Sequence, residues 1–437
     1  MNYSVPRLRV FRERLWSFSP RGSVLLFLYL LFAALLVSRR PDCLYHPQFF
    51  AEEGERFFRE ARERPAWVNL TTYSYGYFDL VIRIAQQLAA LVPLEHAPLV
   101  LVVIAIALQA AVPAFVVSSR CASWLGPFPI RLVAALLYCG LPNSSETHCI
   151  ELHSRVHLAV LAALVIVSAP SVSRIGKIFD ASTLLLSGLS GPFALVLAPV
   201  AAWRSWQLRT EATRRNALIL ALAFALAIFA LLASSQPRFA VAVGPSFRNG
   251  MRIIGGQFLM GFLLGGGTYA RILHQPWFNF AAGVGLIGIT ILVLVILWRE
   301  KSELRQLLLI GISLLAIALI APIGGAVGMT QWRALWSIPG NGQRYYTVPM
   351  AMLLFALAAI VGRGRGRGWR VLATVLLLLN ASMAVRVDWM LWRFKDFHFD
   401  HYAQIYRELP PGASMTIPIN PPGWQMKLHK PASPPKQ

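Results

Sequence analysis

Three groups of residues in this chain have the types that group-transfer chemistry uses. Glu52 and Glu53 are adjacent in "FFAEEG" (49–54), while Glu146, His148, Glu151, His153, Arg155 and His157 crowd "PNSSETHCIELHSRVH" (142–157). Arg333, Arg344, Tyr345 and Tyr346 fall in 324–346. A carboxylate within reach of a hydroxyl is a general base, and guanidiniums neutralise an anionic leaving group through charge-assisted hydrogen bonds. Gathered on one face, the three groups would make a site for moving an anionic leaving group.

Each group also has a plainer reading. Glu52 and Glu53, with Glu55, Glu60 and Glu63, equally describe the wetted face of an interfacial helix. His153 and His157 stand at i, i+4, and with His148 and Glu146 or Glu151 they are suitable metal ligands. No HExxH accompanies them, and satisfied loop histidines are commoner than ligands. Arg344 beside Tyr345 and Tyr346 also fits an anchor at a membrane interface.

The elements that must position these residues are membrane helices. Of 437 residues, 56% are hydrophobic and 14% charged, which excludes an ordinary soluble domain. Apolar runs able to cross a hydrocarbon core of about 30 Å recur along the chain, so the expected fold is an all-α polytopic membrane protein. The first run, "SVLLFLYLLFAALLVS" (23–38), has a basic flank but no small-residue cleavage site, and reads as a retained span. The net charge of +22 is spread over short loops and forms no stripe. That is the signature of positive-inside topology and excludes nucleic acid as a partner. Cys43, Cys121, Cys139 and Cys149 make no CxxC pair and read as packing residues, with a Cys43–Cys149 disulfide as the alternative.

Arg7, Arg9, Arg12, Arg14 and Arg21 precede the first span and assign residues 1–22 to the cytoplasm. Residues 39–96 then lie outside with two juxtamembrane helices. The first, over 43–61, would rest Phe49, Phe50, Phe57 and Phe58 on the bilayer; the second covers 77–93. Continued alternation yields about eleven membrane segments within 23–385 and an external tail, 386–437, large enough for a small cap. Between Lys177 and Trp203 lie only about two dozen residues, too few for two full crossings at about 1.5 Å per residue. Residues 179–202 are therefore expected to be a hairpin of short or re-entrant helices, broken at "SGLSGPF" (187–193).

This plan resembles the GT-C superfamily of glycosyltransferases that use lipid-linked sugars, and is similar to protein O-mannosyltransferases and lipid A aminoarabinose transferases. More specifically, "FFAEEG", "LPNSSETHCIELHSRVHLAV", "LSGPFAL", "QRYYTVP" and "IPINPPGW" look like motifs of poorly characterised bacterial GT-C-like proteins. Their usual forms are AEDG, LPN-x-x-E with a later HW, LSGP, RY and a Pro-Gly-Trp tail. Glu53 stands where Asp is more usual, and Leu158 follows His157 where Trp is expected.

The resemblance implies a bundle embedded in a bacterial inner membrane with its site outside. The donor would be a polyprenyl-phosphate-linked sugar, the acceptor a glycan, lipid or protein hydroxyl, with membrane lipids as surroundings. It implies inversion at the anomeric carbon, with Glu53 as preferred general base, Glu52 beside it, and Glu146 as the second carboxylate. Arg344, Arg155 and Tyr345 would hold the donor phosphate, and His157, His153 and Tyr346 would line the pocket, with a divalent cation admissible. Two rivals remain from sequence: a secondary transporter or flippase, and an outer-face acyltransferase with a histidine base.

Overall fold

The computed structural model describes residues 16, 18–234, 241–322, 328–364 and 366–431. Arg7, Arg9, Arg12 and Arg14 lie outside them. In chain order the longer helices are α1 (Gly22–Arg39), α2 (Leu80–Ala90), α3 (Ala97–Val117), α4 (Phe128–Cys139), α5 (Ser154–Val167), α6 (Arg174–Gly188) and α7 (Ala194–Leu208). They are followed by α8 (Glu211–Ala233), α9 (Phe278–Arg299), α10 (Ser302–Ile320), α11 (Arg344–Arg363), α12 (Arg367–Arg386) and α13 (Phe399–Glu408). All eleven segments expected in the membrane are thus helical. Seven helices among the described residues are long and apolar enough to cross a bilayer, or eight if the bent pair Ser119–Leu125 and Phe128–Cys139 is one span. The chain is a helical membrane protein.

Two helices form the centre. From Val156 to Val167 on α5 and from Tyr346 to Ile360 on α11 every residue is buried, as helices apolar on all sides require. They pack on one another, with α3, α6, α7 and α10 against α5, and α4, α10 and α12 against α11. Both begin at the same end of the bundle, where the candidate residues collect.

The expected hairpin is α6 and α7, each 15 residues and so about 22 Å long. Its break falls at Leu189–Phe193. Gly191 has φ +126° there, a conformation other residues rarely adopt. The turn docks on the start of α2: Leu80 N–H donates to the Leu189 carbonyl (3.0 Å) and Val81 N–H to Ser190 Oγ (2.9 Å). An antiparallel bridge pairs Ser190 with Asp79. The LSGP break therefore fixes the position of Asp79.

One expectation is corrected. Residues 43–61 do not form one amphipathic helix on a bilayer. A short helix, Asp42–Tyr45, is followed by an extended stretch, and a π-helix, Glu53–Phe58, begins only after Ala51 at φ +46°. Phe49, Phe50, Phe57 and Phe58 are buried at 0 to 7% exposure, because protein and not lipid covers them. The expected all-α plan holds with little sheet added: Tyr73–Ser74 (β1) and Tyr77–Phe78 (β2) form a small pair. The tail carries an antiparallel hairpin of β3 (Ser414–Ile419) and β4 (Trp424–His429). Phe49 and Phe58 share one apolar cluster with Phe399, Ile417, Ile419 and Met426 of the tail. A Cβ on Gly54 would sit 3.0 Å from Ile419 Cδ1, so glycine permits this approach.

Asn420 is the latch. Its backbone N–H donates to Phe49 O (3.1 Å), its carbonyl accepts from Ala51 N–H (2.5 Å), and its amide Nδ2 donates to Gln48 Oε1 and Lys395 O (2.9 Å each). Replacing Asn420 by Ala keeps the backbone bonds to Phe49 and Ala51 but removes the side-chain donor to Gln48 Oε1 and Lys395 O, which typically costs about 1–3 kcal/mol. The expected result is a lower unfolding temperature and faster protease cleavage within 395–431; unchanged cleavage would sink the latch.

A candidate active site at the head of two central helices

The first turn of a helix presents N–H groups without intrahelical partners, and two of the candidate acids fill this need. Glu53 is 3% exposed. Its Oε2 accepts from Phe50 N–H (2.9 Å) and its Oε1 from Leu152 N–H (2.8 Å) in the 3-10 turn Glu151–His153 that leads into α5. Glu146 Oε2 accepts from Arg344 N–H (3.0 Å) at the start of α11, and its Oε1 pairs with the Arg344 guanidinium. Both carboxylates are placed by, and hold in place, the helix starts they cap.

The two arginines converge between these caps. Arg344 lies over the Tyr345 ring at 4.8 Å. Arg155 donates to Asp79 Oδ1 (2.5 Å) and lies 5.7 Å over Tyr77, so the LSGP turn acts on Arg155 through Asp79. Glu52, half-buried, interacts electrostatically with both Arg344 and Arg155. Among the described residues its side chain has no hydrogen-bond partner. Beside it Glu55, Pro422, Gly423, Trp424 and Gln425 line an open cleft between the π-helix and the tail. The group that forms is Glu52, Arg155 and Arg344, with Tyr345, His153 and Glu146 around it.

Of the three histidines only His153 touches this group. Its Nε2 is 3.8 Å from Glu146 Oε1. Burial, with the fields of Arg344 and Arg155, holds His153 well below the usual imidazole range, so this is a contact of a neutral ring and not an ion pair. His157 is buried one turn down α5, with Nε2 donating to Thr147 O (2.8 Å) and Nδ1 accepting from Tyr138 O–H (2.6 Å). His148 Nε2 donates to Leu36 O (2.8 Å) while its Nδ1 faces Gln109 Nε2 (3.1 Å). The expectation that His157 lines the pocket is not met, because both ring nitrogens serve the fold. Tyr346 is fully buried with no partner for its hydroxyl among the described residues. Among the described residues no three His, Cys, Asp or Glu side chains gather as a metal site. All four cysteines are free and buried, so the alternative Cys43–Cys149 disulfide is not formed.

Glu53 titrates in an unusual range. Burial pushes it up to about 7, and Glu52 adds to this, while the backbone N–H groups of Leu152, Phe50 and Glu151 pull the other way. Its neighbour Glu151, 1% exposed with Oε1 unpartnered, is pushed well above the carboxylate range by burial and by Glu53. A carboxyl whose folded pKa lies above its unfolded value adds stability that is complete below about 4.5 and lost as pH rises through about 7. Unfolding temperature should therefore fall between pH 5 and pH 8. The Glu53→Gln variant should flatten that slope; an identical slope would remove Glu53 as its source.

Sequence reasoning missed the polar frame beneath the site. Asn143, at φ +52°, donates through its backbone N–H to Asp388 Oδ2 (2.8 Å) and accepts from Gln343 Nε2 (2.7 Å); Gln343 Oε1 in turn accepts from Ser145 Oγ and Glu146 N–H (2.8 Å each). A left-handed asparagine in "LPN" was a signal, since Asn tolerates that conformation. Asp79 gave none, and neither did Arg39 and Arg40, both 0% exposed. Comparisons with protein-family models, with curated proteins and with solved structures found no match.

Proposed function

We propose that the protein is a GT-C type membrane glycosyltransferase that moves a sugar from a polyprenyl-phosphate donor to an acceptor hydroxyl. The observation that carries this reading is a half-buried carboxylate, Glu52, without a hydrogen-bond partner among the described residues and electrostatically coupled to two arginines, each steadied by its own acid. Glu52 takes the proton of the acceptor hydroxyl as that oxygen attacks the anomeric carbon. The bond from that carbon to the phosphate oxygen breaks, its electron pair leaving with the phosphate toward Arg344 and Arg155. Attack from the face opposite the phosphate inverts the carbon. Glu53 and Glu146, expected among the catalytic acids, become positioning residues in this scheme, since backbone N–H groups claim their oxygens. The starts of α5 and α11 add positive helix-dipole ends beside the phosphate. The cleft at Trp424 and Glu55 is the approach for an acceptor glycan, lipid or protein.

In this reading α4 to α7 join the seven long helices as membrane segments, eleven in all, in a bacterial inner membrane with the N-terminus cytoplasmic and the site and tail external. A histidine-based acyl transfer is the weaker alternative, because His148 and His157 have both nitrogens engaged. Mass spectrometry of lipids co-purifying with wild-type protein and with Glu52→Gln tests the proposal. A sugar-loaded polyprenyl phosphate enriched in the variant is expected. Its absence from both, with other lipids recovered, would overturn it.

A further inference from the structure

Residues 234–277 and 324–346 contain six arginines, at 238, 248, 252, 271, 333 and 344, and no Asp or Glu. Arg238 lies outside the described residues. The described residues of the two segments sit at the end of the bundle that carries the candidate site: Gln257 O accepts from Asn143 Nδ2 (3.0 Å), Gly266 N–H donates to Asp388 Oδ2 (2.6 Å), and Arg344 pairs with Glu146. Arg344 is balanced by Glu146. Arg248, Arg252 and Arg333 have no carboxylate within salt-bridge distance among the described residues.

These three arginines are held close despite mutual repulsion, since Arg252 feels both Arg248 and Arg333. Arg252 is fixed: its guanidinium lies 4.0 Å over the Trp336 ring and its Nε donates to Asn279 Oδ1 (2.7 Å). Trp336 is pinned in turn by Asn249 Oδ1 (3.0 Å) and by the Tyr269 hydroxyl, which donates to its carbonyl (2.5 Å). Arg248 and Arg333 are exposed. A fixed cationic centre with two exposed arginines beside it, and no carboxylate paired with them among the described residues, suits a polyvalent anion. The rim names the kind of anion. Phe247 is 81%, Phe280 78% and Trp277 50% exposed, and Phe280 lies in the first turn of the 22-residue apolar helix α9. Exposed aromatics where an apolar helix ends mark the headgroup level of a bilayer.

We propose that Arg248, Arg252 and Arg333 form a docking site for the phosphate headgroup of an anionic lipid, with Phe247, Trp277 and Phe280 against its acyl chains. The site needs only a membrane lipid and is independent of sugar transfer. Its test is native mass spectrometry of the full chain from nanodiscs of phosphatidylcholine mixed with phosphatidylglycerol. Each basic residue near such a surface contributes enough that the Arg248→Gln, Arg252→Gln, Arg333→Gln triple variant should bind phosphatidylglycerol on the order of 100-fold more weakly. The Arg248→Gln, Arg333→Gln double variant leaves the Arg252 contacts intact and should lose roughly 30-fold. The triple lysine variant should retain most binding. Wild-type retention in the double variant would overturn the site, and displacement of the lipid by an equal concentration of inorganic phosphate would overturn its lipid character. Glu52→Gln leaves this binding unchanged, so failure of one proposal does not carry the other with it.

Discussion

Sugar transfer by Glu52→Gln is expected to be slower by about 10²- to 10⁴-fold, the usual contribution of a positioned general base. The amide keeps the size of the side chain and loses only its proton affinity. Glu52 is half-buried and without a hydrogen-bond partner among the described residues, so the unfolding temperature should stay close to wild type. KM for the donor should change little while kcat falls, because Arg344 and Arg155 remain. Glu53→Gln should behave differently. One of its two backbone donors, Phe50 N–H or Leu152 N–H, would then face an amide N–H₂, so stability drops along with activity. Single-turnover rates and unfolding curves of both variants separate the two roles. Full activity in Glu52→Gln would remove it from the mechanism.

The second large effect is on folding. Arg39 is fully buried at the end of α1, and its guanidinium donates to Cys139 O (2.9 Å), Leu141 O (3.2 Å) and Asp388 O (3.0 Å). These carbonyls belong to the end of α4, the loop that carries Glu146, and the start of the tail. Arg39→Leu would leave Cys139 O and Asp388 O unmatched at about 1–3 kcal/mol each, while Leu141 O keeps the Ser144 hydroxyl (2.6 Å). Against the usual stability of about 5–15 kcal/mol, most of the protein should fail to elute as a single species after detergent extraction. Arg370→Leu, on the exposed side of α12, is the control and should elute normally. An Arg39→Leu protein as stable as wild type would show that water or local rearrangement meets those carbonyls.

Composition and apolar run length were enough to foresee helices over the apolar runs, seven of them among the described residues long and apolar enough to cross a bilayer, because in a bilayer every backbone polar group must be satisfied within a helix or by a neighbour. The broken hairpin was legible for the same reason: length forbade two full crossings, and Gly191 supplied the only economical turn. The phenylalanines of 49–58 misled. Their spacing is that of an amphipathic helix, and nothing local distinguishes lipid from a protein cover formed by residues more than 300 positions later. The site was half legible. Residue types and the outward loops named Glu52, Glu53, Glu146, Arg155 and Arg344. Which carboxylate was left unclaimed depended on backbone N–H groups, and sequence does not show where those point. Arg39 and Arg40 carried the misleading sign of a loop charge, although their work is to bind carbonyls in the interior.

The Asn420 latch joins Phe49 and Ala51 to a residue made late in synthesis. Translation runs in one direction, so the Glu52 loop leaves the ribosome long before the strand that fixes it. Until residue 420 has emerged, that loop lacks its partner and the carboxylate its setting. The order of manufacture thus leaves that loop without its cover until the tail has been made.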